Sequence, residues 1–406
     1  MISIENKRHF TLTITFLAVV ALIFPYLGFF IMLIFLSQFR LTSDQANVVA
    51  FFITMTLCLL ALAYTRVDGS GDWSRYAISM ENYKKSTIPW FTTTYEKFYP
   101  VWYGLLGILT TMDLSINVLT AFMVSAIYVG SIIIVSLVSS FDTPAAVRQG
   151  ALLKIFLFHS PIVMFSGYKS AFSLVLCYLG WLLVQKRKRF LGVTLMLVGI
   201  GTHPIASVLV VVMILTMLLK FRPIYMICAF VFSVIIMIGI NFISVAPLDG
   251  FIGNKVNSYV LGPWGKYRFH DLSEVVLFYI AATILLAATA LVMNVKFRYF
   301  ISQQTKYSQK IFNFSCWYLL LCIFFIPYRT FELRLTVSGF FILLPIFIYW
   351  FRYKALAFKP TSFKVSVSYL LWLIIIDPRL IDIGESSFSF ADNIQFKIFY
   401  SPFFSF

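Results

Sequence analysis

Long apolar runs follow one another along the chain, separated by short polar stretches, and this alternation predicts a series of membrane-spanning helices. A hydrocarbon core of roughly 30 Å takes about 20 apolar residues in helical form. Runs of that kind lie at 48–64, 116–138, 150–166, 170–184, 190–202, 205–219, 223–244, 273–293, 311–327, 335–350 and 363–376. Ahead of them, an apolar stretch from Phe10 to Leu36, interrupted at Pro25, supplies one or two more. The total is about 12 or 13. Several runs are short, which predicts broken helices around a buried cavity, where irregular backbone is tolerated. The run from Pro100 to Leu109 is too short to span and is read as an interfacial or re-entrant segment. The expected fold is thus an all-α polytopic membrane protein, one integral domain over residues 1–406, with an outward-facing polar cavity.

Composition supports this reading. Charged residues make up 12% of the chain, about half the share a soluble domain needs to solvate its surface. Lys7 and Arg8 precede the first apolar run, but no small-residue cleavage site follows, so that run is read as a span and not as a signal peptide. Five cysteines (Cys58, Cys177, Cys228, Cys316 and Cys322) all fall within apolar runs and lack metal-ligand spacing. Neither a disulfide framework nor a zinc site is expected.

The net charge of +16 is a statement about topology. Short loops rich in Lys and Arg stay in the cytoplasm, and Lys186-Arg187-Lys188-Arg189 is the clearest such loop. Placing it inside also brings in Lys220 and Arg222, Lys296 and Arg298, and Arg352 and Lys354. That side then holds 19 bases and three acids, which accounts for the whole excess. The basic balance therefore points to positive-inside topology and away from nucleic acid, for which no module is present.

The outward segments are Thr65–Tyr99, Gly167–Lys169, Gly201–Pro204, Ala246–Asp271, Tyr328–Arg334 and the tail from Asp377 to 406, and four groups within them could carry chemistry. Gly69-Ser70-Gly71-Asp72-Trp73-Ser74-Arg75-Tyr76 follows a span as a loop able to fold back, with Asp72, Arg75 and Tyr76 as groups for sugar hydroxyls. Glu96 closes the same segment and offers a second carboxylate. Gly167-Tyr168-Lys169-Ser170 reads as a short turn whose lysine either snorkels to the interface or grips a diphosphate. Gly201-Thr202-His203-Pro204 presents a histidine at a proline bend, as a structural residue or as a proton acceptor. Tyr328-Arg329-Thr330-Phe331-Glu332-Leu333-Arg334 packs two arginines and a glutamate into one short turn, where Glu332 either pairs with Arg329 or joins a site. Cations suit a diphosphate leaving group, and His203, Asp72 or Glu96 suits the base. No Walker-type phosphate loop appears, which argues against an ATP-driven transporter.

In order and spacing these motifs resemble the Wzy/EpsG family of polysaccharide polymerases. The resemblance runs through Gly71-Asp72-Trp73 with Tyr76, then Glu96, then Lys169-Ser170-Ala171-Phe172-Ser173-Leu174, then His203-Pro204 to Ser207, then Glu332-Leu333-Arg334. Two positions depart from the family pattern: lysine stands at 169 where arginine is usual, and Gly-Asp-Trp replaces Gly-x-Asp-Tyr. The resemblance implies a glycosyltransferase that joins undecaprenyl-diphosphate-linked oligosaccharide repeats on the periplasmic face. It implies no cofactor, no metal and no nucleotide sugar, with membrane lipid around it and a chain-length co-polymerase as partner. A lipid-linked oligosaccharide flippase is the alternative of another class, but it calls for ionisable groups deep in several spans, and only Lys154 and His159 sit mid-span. A membrane O-acyltransferase would need its histidine to meet a cytoplasmic donor. An O-antigen ligase is chemically close to a polymerase and remains open.

Overall fold

The structure, a computed structural model, describes residues 2–3, 7–62, 71–85, 97, 99–139, 143–158, 161–239, 272–328 and 334–354. Among these the chain is helical apart from turns and one two-residue strand pair. Helices α1 (Lys7–Ile23) and α2 (Pro25–Gln38) come from the first apolar stretch, and Pro25 opens the second of them. They double back on each other, since Ile2 and Ser3 pair with Phe39 and Arg40. The stretch is therefore two helices. Helix α3 (Ser43–Leu62), α6 (Ile116–Val138) and the Tyr168–Gln185 part of α8 (Pro161–Gln185) are long and apolar enough to cross a membrane. α12 (Leu272–Met293), from Ala281 on, and α13 (Val295–Ser302) are together long and apolar enough for a fourth, broken span, bent by 69°. Six further apolar helices have 10–17 residues, as the short runs predict. The expected last span at 363–376 lies outside the described residues.

The outer surface shows what surrounds the bundle. Phe190 is 88% exposed, Met217 75% and Leu286 66%. A water-facing protein seldom exposes so many large apolar side chains; lipid accepts them. Inside, Met32, Ile53, Ile127, Leu174, Leu209, Phe314 and Ile342 are fully buried. This is an all-α membrane protein.

Contacts at the helix ends sort the bundle into two ends. At one of them the Gln149 side-chain amide holds the backbone of Leu36, Phe39 and Leu41, tying α7 (Ala145–Phe158) to the end of α2. Tyr307 donates to Leu137, Lys310 to Gln185, and the Phe221 N–H to Asn313, so the start of α14 (Lys306–Phe324) joins the same end. That end carries Lys186–Arg189, Lys220, Arg222, Lys296 and Arg298. The basic loops that the sequence assigns to one side thus do meet at one end. At the other end Asn117 donates to Leu62, closing α3 on α6.

Two helices at this second end decide the site. Helix α4 (Gly71–Lys85) begins at Gly71, so Gly71 to Tyr76 of the stretch read as a folded-back loop are helical, while Gly69 and Ser70 lie outside the described residues. Their amphipathic spacing explains it, because Tyr76 and Met80 form one buried face. Helix α5 (Pro100–Thr111) takes up the short apolar run, with Pro100 in its first turn. It ends in a left-handed residue, Asp113 (φ 53°), whose N–H donates to the Thr110 carbonyl while the Leu114 N–H donates to that of Leu109. The Asp113 carboxylate is ion-paired with Lys84, which latches α4 to α5 and holds that carboxyl below its usual range.

The expected outward turn at 167–169 is not there. Residues 161–185 form one continuous helix; α7 is described to Phe158, and residues 159–160 lie outside the described residues. The sequence misled because a charge amid Gly and Ser looks like a loop. Here the charge stays in a helix because other side chains cover it.

Candidate active site

Helix α8 and the next helix, α9 (Arg189–Thr202), form an antiparallel hairpin drawn together by glycine. A Cβ built on Gly180 would lie 2.5 Å from the Gly192 carbonyl oxygen, and one on Gly192 would lie 2.5 Å from that of Gly180. A Cβ on Gly199 would lie 2.7 Å from the carbonyl of Ser173. Small residues let helix backbones approach this closely in lipid. Continuing the same register by one helical turn sets Lys169 on α8 opposite His203 at the end of α9.

Lys169 is 4% exposed and points into aromatic rings. Its Nζ lies 3.9 Å from the ring centre of Tyr99, 5.0 Å from Trp102, and 5.6 Å from both Tyr76 and Tyr103. Each such contact is worth about 0.5–2 kcal/mol, more as water is excluded. The rings also hold one another: Tyr76 and Trp102 are 4.6 Å apart, and Tyr168 lies 5.7 Å from Trp102. Trp102 is fully buried, and its indole N–H has no hydrogen-bond partner among the described residues. A buried donor left so costs about 1–3 kcal/mol, a cost that an incoming acceptor would remove.

His203 borders the same cage, its ring 5.6 Å from that of Tyr99. It is an extended residue (φ −153°) between α9 and the short 3₁₀ turn Pro204–Ala206 that leads into α10 (Ser207–Leu218). Its Nδ1 accepts the backbone N–H of Ile205 at 3.1 Å, so it caps that turn. Gly201 admits the side chain of Val101, which seats the start of α5 against the end of α9.

Of the residues singled out from sequence, the structure thus brings Tyr76, Lys169 and His203 into one cage, with Lys169 against both Tyr76 and Tyr99 and His203 beside Tyr99. Asp72 lies in the first turn of α4, one turn before Tyr76, and Arg75 is exposed on the same helix. Arg334 is half-buried and opens the turn at 334–336, where the Leu335 carbonyl accepts from Tyr318 at 2.7 Å. Glu96, Arg329 and Glu332 lie outside the described residues. Sequence reasoning missed Trp102 and Tyr103. Their signal was present: Tyr99, Trp102 and Tyr103 stand at i, i+3 and i+4, the spacing of one helix face, but aromatic residues so spaced also suit a plain core. Among the described residues no group of three or more His, Cys, Asp or Glu gathers to hold a metal.

The model of the EpsG family matches residues 48–386, most of the chain and every element of this cage. The chain belongs to the EpsG family. Membership makes it a membrane protein of polysaccharide-polymerase type. No curated protein and no solved structure matches it. In this EpsG-family chain the aromatic cage, and not a loop, is what joins the early motif at Tyr76 to the later ones at Lys169 and His203.

Proposed function

We propose that the chain is a membrane glycosyltransferase that joins lipid-linked oligosaccharide repeats. The growing glycan on undecaprenyl diphosphate moves onto the non-reducing sugar of the next lipid-linked repeat, and undecaprenyl diphosphate leaves. The observation that carries this reading is the convergence of three separate stretches on one cage: the Lys169 ammonium lies against the rings of Tyr76 and Tyr99, and His203 lies beside Tyr99. A buried cation beside aromatic faces suits a substrate that is an anion at one end and a sugar at the other. In this role Lys169, with Arg329 and Arg334, binds the diphosphate linkers, while Arg75, Tyr76 and Glu332 meet sugar hydroxyls. A base among Asp72, Glu96 and His203 takes the acceptor proton.

The basic end faces the cytoplasm of a bacterial inner membrane and the cage end faces outward, because the Lys186–Arg189 turn lies opposite His203 along α9. A cysteine placed at 188 that reacts with an impermeant thiol reagent from outside would reverse that orientation. The donor is already activated as a diphosphate ester, so the reaction needs neither nucleotide sugar nor metal. A chain-length co-polymerase is the natural partner, and the charges near one end favour one-sided chemistry over passage through both leaflets.

Deleting the gene tests the reading in the cell. Surface glycan should collapse from a ladder to single repeats on their acceptor, and supplying the chain should restore the ladder. Loss of all repeats would instead fit a flippase or a ligase.

A further inference from the structure

We propose that His203 serves the reaction as a hydrogen-bond donor through Nε2–H, aimed at substrate oxygen, and not as its general base. The inference rests on the polymerase reading and assigns a role within its site. Its starting point is the bond from the Ile205 N–H to Nδ1 of His203 at 3.1 Å. An imidazole nitrogen that accepts a hydrogen bond carries no proton, so the single proton of the neutral ring sits on Nε2. Protonating the ring would set a second N–H on Nδ1 against the Ile205 N–H. The cap therefore favours the neutral ring with a donor at Nε2 and occupies the lone pair that a base would use.

Several features fix the ring in this pose. Pro204 follows directly and stands in the first turn of the 3₁₀ helix, and the His203 backbone N–H is bonded to the Gly199 carbonyl at 3.2 Å. The Tyr99 ring lies 5.6 Å from the imidazole at 59°. The same tyrosine carries Lys169 at 3.9 Å, so donor and cation share one aromatic neighbour.

The transfer then balances as follows. The bond between the anomeric carbon and the diphosphate oxygen breaks, and its electron pair leaves on that oxygen. A new bond forms from the acceptor hydroxyl oxygen to the anomeric carbon. The hydroxyl proton passes to a carboxylate, for which Asp72 and Glu96 are the candidates. Negative charge grows on the departing diphosphate, where the Nε2–H of His203 and the ammonium of Lys169 stabilise it.

Side-chain isosteres separate the possible roles. Asparagine places its amide near Nδ1 and can keep the cap; glutamine places its amide N–H near Nε2 and can keep the donor. Purified His203→Gln, →Asn and →Ala chains are to be assayed with lipid-linked repeats at equal folded concentration. His203→Gln should polymerise at a rate about 10²-fold above His203→Ala, the usual weight of one such donor, and His203→Asn should stay near His203→Ala. Asparagine at the parental rate would make His203 a cap alone, and glutamine as slow as alanine would return the base role to it. A measurement on the parental chain needs no variant to fold. The ¹⁵N spectrum of the histidine-labelled protein should show His203 Nδ1 unprotonated and Nε2 protonated, and the reverse tautomer would overturn the proposal. Failure of the parental chain to join repeats at all would count against the polymerase reading, while the tautomer would still be read directly.

Discussion

Lys169→Ala is expected to abolish long polymer while leaving the protein in the membrane at its normal level. The ammonium is almost wholly buried and held among four rings, so it acts where water does not screen it. A cation at developing diphosphate charge is worth about 10²–10³-fold in rate. Lys169→Met, which keeps the length of the side chain and removes the charge, should fall as far as alanine. Lys169→Arg should keep polymer formation, because the guanidinium is charged, stacks on aromatic faces and grips phosphate with two bonds. Quantifying glycan length beside protein level on the same cells checks all three. Full-length polymer from Lys169→Met would show that the lysine is packing and not chemistry.

Gly199→Leu is expected to cost both stability and activity. The added carbons would meet the Ser173 carbonyl and the Cys177 backbone, neither of which can swing aside as a flexible side chain does. Overpacking of this kind typically costs about 1–3 kcal/mol, and here relief requires α8 and α9 to separate. Because Lys169 and His203 are one turn further along the same hairpin, separation pulls the cation away from the histidine. The thermal midpoint of the purified chain in detergent should fall, and polymer should be lost even in the folded fraction. Gly192→Leu, at the far end of the hairpin, should lower the midpoint with a smaller effect on the rate per folded molecule. Equal rates per folded molecule for Gly199→Leu and the parent would break the link between hairpin spacing and site.

Much of the bundle was legible because lipid imposes a length. The run read at 116–138 is the helix Ile116–Val138, and those read at 190–202 and 273–293 match helices to within a residue. Polar interruptions were harder to interpret. Gly71 to Tyr76 looked like a loop because its glycine and polar residues lack a long apolar run, yet Tyr76 and Met80 bury one face of a helix. Gly167 to Ser170 looked like a turn because a lysine in a span is expensive, and the rings that offset the expense come from residues about 70 and 90 positions earlier. No local pattern encodes that pairing. The same limit hid Trp102, whose importance lies in a buried N–H with no partner among the described residues. His203 was visible as a residue but not as a tautomer, since only the bend at Pro204 turns the Ile205 N–H onto Nδ1.

The most direct measurement supplies the purified chain, in lipid vesicles, with lipid-linked oligosaccharide repeats as the sole sugar source and with no nucleotide sugar or ATP. Chains of two, three and more repeats should appear on undecaprenyl diphosphate, with one undecaprenyl diphosphate released for each junction formed. Single repeats that cross the vesicle membrane unchanged in length, with no junction formed, would contradict the account.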